Sequence, residues 1–374
     1  MHPVGPTRGS VLVVGAGIIG LAAAWKLAEL GHPVTLVDPA LGLQKPSMAS
    51  GSQAALGVMM GQVFHRSAGR AWRLRQQSQA LWVQWLAEFE QRGYRLPQRR
   101  GLLLLAASED DLTKQARIAG DRARLGQTVH LISPRELDLL QPQLPGQPLG
   151  GLFSPEDGQL DPRAVMAAML SEAKRAGVVC LAGKAVAVVR QRPWQLVLEG
   201  QRHLEADWLV LALGLGTAAL LASLGLVLDL EPVLGQALEL ELASTPHWSW
   251  PGVVVWRGMN LVPRLDLGDK GCRLWLGATL EPGERPDAAA LAHLRQLGGE
   301  APSWLKEAEV VRHWNGLRCH PRGQAAPVLE EPEPGLLIAS GHYRNGVLLA
   351  PATAAWICGR IQGIHESRQK PCIG

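Results

Sequence analysis

Between residues 10 and 38 the chain reads SVLVVGAGIIGLAAAWKLAELGHPVTLVD. Four apolar residues in succession, Val11 to Val14, have the unbroken hydrophobicity of a parallel strand covered on both faces. A helix-period stretch follows as far as Gly31, a residue suited to the left-handed turn past a helix end. A second apolar run, Val34 to Val37, stops at Asp38. Similar runs recur at DWLVLALGLGT (207–217) and LLIAS (336–340). Helical patterns cover 68–92, with Trp72, Leu81, Trp85 and Leu86 as apolar positions, and the stretch after Asp161. There an N-cap acid precedes Pro162, and Gly177 marks the end. Ser108 with Asp111 and Ser133 with Glu136 have capping-box spacing. VLGQALELEL, VVVW, NLVPRL and CRLWLGATL alternate or run short, and predict antiparallel strands.

Parallel-type elements thus stand at the start, middle and end of the chain, with antiparallel ones between them. This order predicts an α/β fold. A discontinuous, Rossmann-like nucleotide-binding domain with a parallel sheet takes 1–85, 145–220 and 310–374. An inserted α+β substrate domain with a mixed or antiparallel sheet takes 86–144 and 221–309. No internal repeat or low-complexity linker interrupts it.

Composition narrows the class. With 374 residues, 47% of them hydrophobic, the chain can bury roughly two domain cores. A net charge of +4 suits an anionic ligand but is too weak to indicate a nucleic-acid partner. The arginine-rich run RSAGRAWRLR, with Arg66, Arg70, Arg73 and Arg75, reads as a solvated helix face or a subunit interface, so a homo-oligomer stays open. Cys180, Cys272, Cys319, Cys358 and Cys372 are odd in number and lack CxxC spacing, which suggests neither a disulfide framework nor a metal site. MHPVGPTRGS has no apolar signal core, and no apolar run reaches the roughly eighteen residues of a membrane span. The expected setting is soluble, reducing and cytoplasmic.

The first candidate chemistry lies at Gly15, Gly17 and Gly20, spaced GxGxxG between strand and helix, with Asp38 closing the second strand. Gly15 allows the tight turn, Gly17 lets a pyrophosphate approach the backbone, and Gly20 lets helix and strand pack closely. The helix start, with Ile18 and Ile19, offers N–H groups to phosphate, and Asp38 can accept from ribose hydroxyls. A glycine-rich βαβ turn without a ligand would share the glycines, but would not need the acid.

These motifs, with DGQLDPRAVMAAML, RLWLGATLE, WNGLR and GHYRNGVLLAPATA, resemble the D-amino-acid-oxidase-like FAD-dependent oxidoreductases, within them the glycine oxidases of thiamine biosynthesis. The resemblance spans almost the whole chain. It implies non-covalent FAD and oxidation of the C–N bond of a small amino acid or amine. Hydride would pass to flavin N5, the imino acid would hydrolyse, and molecular oxygen would be reduced to hydrogen peroxide. By the same resemblance, Gly341, Arg344, Asn345, Gly346 and Val347 would lie along the flavin ring. Ser50 and Ser52 would meet the pyrophosphate and ring, the Val186 backbone the adenine, and Ala212 and Gly214 a second dinucleotide-side turn. Arg318 would grip the substrate carboxylate, seconded by Arg344; Asn260 would border the substrate pocket, and His342 would border it, lie beside the flavin or be structural, rather than act as a base. Asn260 stands where the family usually has a tyrosine, and LRCHPRGQAAP departs from the usual LRPGTxDGxP, so the pocket is rebuilt. Cys319 does not match the position at which relatives attach flavin, and is read as a structural thiol. Alternatives of the same fold are a D-amino-acid dehydrogenase and an oxidase of sarcosine or other N-methylated or cyclic amino acids. A flavin-binding partner in tRNA modification is a further one.

Overall fold

The computed structural model describes residues 8–42, 50–242, 248–264 and 273–363. Residues 1–7, part of the segment read as lacking a signal core, lie outside them, as do Cys272 and Cys372. Six strands form the first sheet, in the order Val328–Glu333, Leu336–Ser340, Trp208–Leu211, Val11–Val14, Val34–Val37, Val179–Leu181. All neighbours run parallel except the outermost pair, Val328–Glu333 with Leu336–Ser340.

Alternation along the central strand explains its unbroken hydrophobicity. Val11 and Val13 point into a core shared with helices Ile18–Glu29, Pro162–Arg175 and Gly346–Ile361. Leu12 and Val14 point into a second core, built with a three-stranded sheet (Ala185–Val189, Trp194–Leu198, His203–Ala206) and helix Gly216–Ala222. Both faces are covered, so neither set of positions can be polar. The local signals act as expected. Gly31 turns left-handed after the first helix, the Ser133–Glu136 capping box forms, and Asp161 accepts from the N–H groups of Arg163 and Ala164.

A ten-stranded, mainly antiparallel sheet carries the rest. It corrects the expected domain limits. Gly150–Leu160 and Glu309–Pro321, assigned from sequence to the nucleotide-binding layer, pair instead with Gln98–Ala106 and Leu230–Glu241 in this second sheet. Helix Arg70–Gln91 crosses the expected limit at 85, and Trp82, Trp85 and Phe89 join the core of the first helix. Hydrophobic pattern reports burial of a strand, not which sheet supplies its partner. Among the described residues, no helix is long and apolar enough to cross a membrane.

Candidate cofactor and substrate site

The first helix begins at Gly17 with no side-chain cap and no acid in its first turn. Ile18 donates its N–H to Ser52 Oγ at 3.1 Å, while those of Ile19 and Gly20 have no partner among the described residues. A methyl group on Gly20 would collide with the Gly15 carbonyl, so the helix sits directly on the turn. Ser50 caps the short helix Gly51–Ala54, accepting from Gln53 N–H at 3.2 Å. Asp38 accepts from Ala16 and Ala40 N–H, each at 2.7 Å, through different oxygens, and each oxygen keeps a lone pair for another donor. Ala212 N–H meets Val14 O at 2.8 Å, and Gly214 O accepts from Ser340 Oγ at 3.0 Å. Val186 is exposed on the strand that follows Gly183, whose N–H points to Asp38 O.

The C-terminal helix Gly346–Ile361 repeats the arrangement. Gly341 turns left-handed at the end of strand Leu336–Ser340, Asn345 precedes the helix without capping it, and the first turn carries no acid. The N–H groups of Gly346, Val347 and Leu348 have no partner among the described residues. Both helices leave carboxyl ends of parallel strands, the edge at which such sheets bind ligands. Two open helix starts, each near half a positive charge, with an acid placed for ribose, fit a molecule with a pyrophosphate and an electron-rich ring. FAD is such a molecule.

The substrate side is built from the other sheet. Along Glu309–Pro321, Trp314, Gly316, Arg318 and His320 alternate onto one face. Trp314 Nε1 donates to Ala54 O at 3.0 Å, and a side chain at Gly316 would collide with Ala54. This face therefore packs against the Gly51–Ala54 helix, whose Ser52 reaches the first helix. Trp314 pairs with Ala237, Ala237 with Gly277 and Gly277 with Asn260, one row across four strands. Asn260 and Arg318 thus share a sheet face, although fifty-eight positions separate them.

Arg318 is half-buried and lies flat against Gly235, where any added methyl would collide with the guanidinium. Its Nη1 donates to Leu234 O at 3.2 Å and Thr279 O at 3.1 Å. No carboxylate among the described residues forms an ion pair with it. Burial first, and then the charge of Arg344, lower its pKa to about 10, which leaves it cationic at neutral pH. Behind it, Thr279 Oγ1 accepts from Gln236 N–H at 2.7 Å and donates to buried Glu281. Arg318 is therefore a fixed, enclosed cation lacking an anion. Arg344 is exposed and acts on the site through its charge.

Of the readings open for His342, structural, beside the flavin or lining the pocket, the structural one fits its packing, for it is turned inward. It is buried, its Nε2 lies 2.9 Å from Thr353 Oγ1, and burial pushes its pKa to about 3, so it is a neutral structural group. The RSAGRAWRLR segment is not simply a solvated face. Arg75 is buried, donates to Asn345 Oδ1 at 3.0 Å and stacks over Phe64, while Arg70 reaches the carbonyls of Pro327 and Leu329. Arg75 thus holds the residue that opens the C-terminal helix, and nothing in its sequence neighbourhood marks it. Asn260 shares a sheet face with Arg318, and its amide nitrogen donates to Gly277 O at 3.1 Å. Cys319 is partly enclosed, 3.8 Å from Ser340 Oγ, and burial raises its pKa.

Fold and site together define an FAD-dependent redox enzyme. Residues 10–360 match the family model described as FAD dependent oxidoreductase, and the chain belongs to that family. It is 29% identical over 364 residues to glycine oxidase of Geobacillus kaustophilus, covering 95% of this chain and 93% of that one. It is 30% identical to the bifunctional protein ThiO/ThiG of Synechocystis sp., covering 95% of this chain but 52% of that longer protein. The crystal structure of Geobacillus kaustophilus glycine oxidase superimposes with a TM-score of 0.84 at 26% identity, covering 96% of each chain.

Proposed function

We propose that this enzyme oxidises the C–N bond of a small amino acid or related amine, in the manner that the names of its glycine oxidase relatives describe. One observation carries the reading. Arg318 is a cation fixed by two backbone carbonyls, partly withdrawn from water, and without a paired carboxylate among the described residues. A substrate carboxylate would supply the missing charge and bind the planar fork through two parallel hydrogen bonds. Held so, the substrate has its α-carbon oriented before any bond changes, which is where positioning lowers a barrier. Bound FAD would supply the two-electron acceptor, with molecular oxygen taking the electrons onward to hydrogen peroxide and the imino acid hydrolysing in water. Arg344, exposed nearby, would draw anionic substrates toward the site. His342, buried and neutral, holds no proton for the reaction. Asn260, smaller than the tyrosine usual at this place in the family, supports an oxidase of sarcosine or proline as a second substrate reading.

The purified yellow protein, mixed anaerobically with glycine, sarcosine, proline and a set of D-amino acids, should lose its visible flavin bands with at least one of them. Reoxidation by air should be fast for an oxidase and slow for a dehydrogenase. Arg318→Met should cut kcat/KM about 100- to 1000-fold while flavin content is unchanged. Retention of both affinity and turnover in that variant refutes the reading.

A further inference from the structure

We propose that Tyr343 is a specificity-determining residue of this pocket, its phenol hydroxyl set beside the Arg318 guanidinium to donate a hydrogen bond to the same carboxylate. The inference rests on Arg318 being the carboxylate anchor. Arg318 and His320 point to one side of their strand, paired with Val233 and Glu231 of the neighbouring strand. Tyr343 N–H donates to the carbonyl of Cys319, the residue between them, at 3.1 Å. Its ring lies on the imidazole of His320, centroids 4.6 Å apart, and His320 Nδ1 is 2.7 Å from Glu231 Oε1. The ring is therefore placed by a side-chain series anchored in the sheet.

Two further observations say that the placement serves a ligand. Tyr343 has φ +53°, a left-handed conformation that glycine or asparagine adopts at less cost. A tyrosine kept at such a turn is kept for its side chain. The hydroxyl also has no partner among the described residues, although the ring is half-buried. The other tyrosine of the chain, Tyr94, donates its hydroxyl to Glu172 at 2.6 Å. Asn260 is not placed to donate in its stead, since its amide nitrogen serves Gly277 O.

The test uses FAD-loaded wild type, Tyr343→Phe and His320→Gln, titrated with acetate while the flavin absorbance is followed, and then assayed for KM and kcat with the amino acid that reduces the wild type. Tyr343→Phe should raise the acetate Kd and the KM about tenfold and leave kcat within about threefold, the loss expected of one hydrogen bond to a charged group. His320→Gln should shift both constants in the same direction by less. Phenylalanine keeps the ring, so a purely structural tyrosine would leave both constants unmoved, and that result overturns the proposal. A Tyr343→Phe protein that no longer holds FAD also overturns it, by assigning the hydroxyl to the cofactor. Arg318→Met separates the underlying reading. If it binds acetate as the wild type does, the anchor itself is wrong and the role of Tyr343 falls with it.

Discussion

The two sides of the site are built by different means. On the proposed cofactor side, the available donors are backbone N–H groups at the starts of two helices, Ile18–Glu29 and Gly346–Ile361, left without a capping side chain. On the proposed substrate side, one side-chain cation is held by the carbonyl of Leu234 on the neighbouring strand and that of Thr279 in the loop after strand Arg273–Gly277, and laid against Gly235. Backbone donors are generic, since they suit any phosphate or electron-rich ring edge. An aimed guanidinium is particular, since its fork matches a carboxylate and its surroundings decide which one. Because the two sets of groups come from different elements, changing the second side need not disturb the first.

The contrast can be broken first at Gly20. Gly20→Val would drive a side chain into the Gly15 carbonyl and lift the helix start from its strand. The expected result is loss of flavin and a destabilisation of about 3 kcal/mol or more, measured by chemical denaturation and by the visible spectrum. A stable yellow variant would show that the close approach is dispensable. Next comes Gly235→Ala, which should displace the Arg318 guanidinium and lower kcat/KM about 10- to 100-fold with flavin content unchanged. Equal loss of flavin would mean that the two sides are not separable. The smallest effect concerns His342. Its folded-state pKa, about 3, lies below the ordinary histidine value of 6.5, so the unfolded chain binds the extra proton between these limits. Stability contributed by the neutral imidazole is therefore present above about pH 6.5 and is lost as pH falls toward 3, by at most about 1.4 kcal/mol per pH unit. Asp157 works in the opposite sense. Burial raises its pKa from 3.8 to about 6, so its contribution weakens as pH rises through that interval. His342→Gln should flatten the acid limb of the stability profile near pH 5, followed by urea unfolding. An unchanged slope would place the acid sensitivity elsewhere.

Local chemistry sufficed for the cofactor side. The strand Val11–Val14, the glycines at 15, 17 and 20, Asp38, and the helix after Asp161 depend on neighbours within a few residues, and each forms as its pattern predicts. The same holds for Asn345 and Gly346, where a glycine-bounded turn meets an apolar helix. Chain order also announced two kinds of sheet, although it misplaced Gly150–Leu160 and Glu309–Pro321, because strands of similar hydrophobicity can join either one.

The substrate side was legible only in part. Arg318 stood out through its resemblance to a known motif, but its bed on Gly235 and its carbonyl clamps, Leu234 and Thr279, come from segments far from it in sequence. For His342 the sequence left a structural and a site-lining role open, and packing against Thr353 favours the first; Arg75 looked like a surface charge, and only packing set it under Asn345. Sequence by itself determined where the backbone must turn and which faces must be buried, since steric freedom and hydrophobic period act over a few residues. The tertiary structure alone decided that Arg318 is clamped by carbonyls with no carboxylate paired to it among the described residues, because solvation and charge pairing depend on groups brought together from distant parts of the chain.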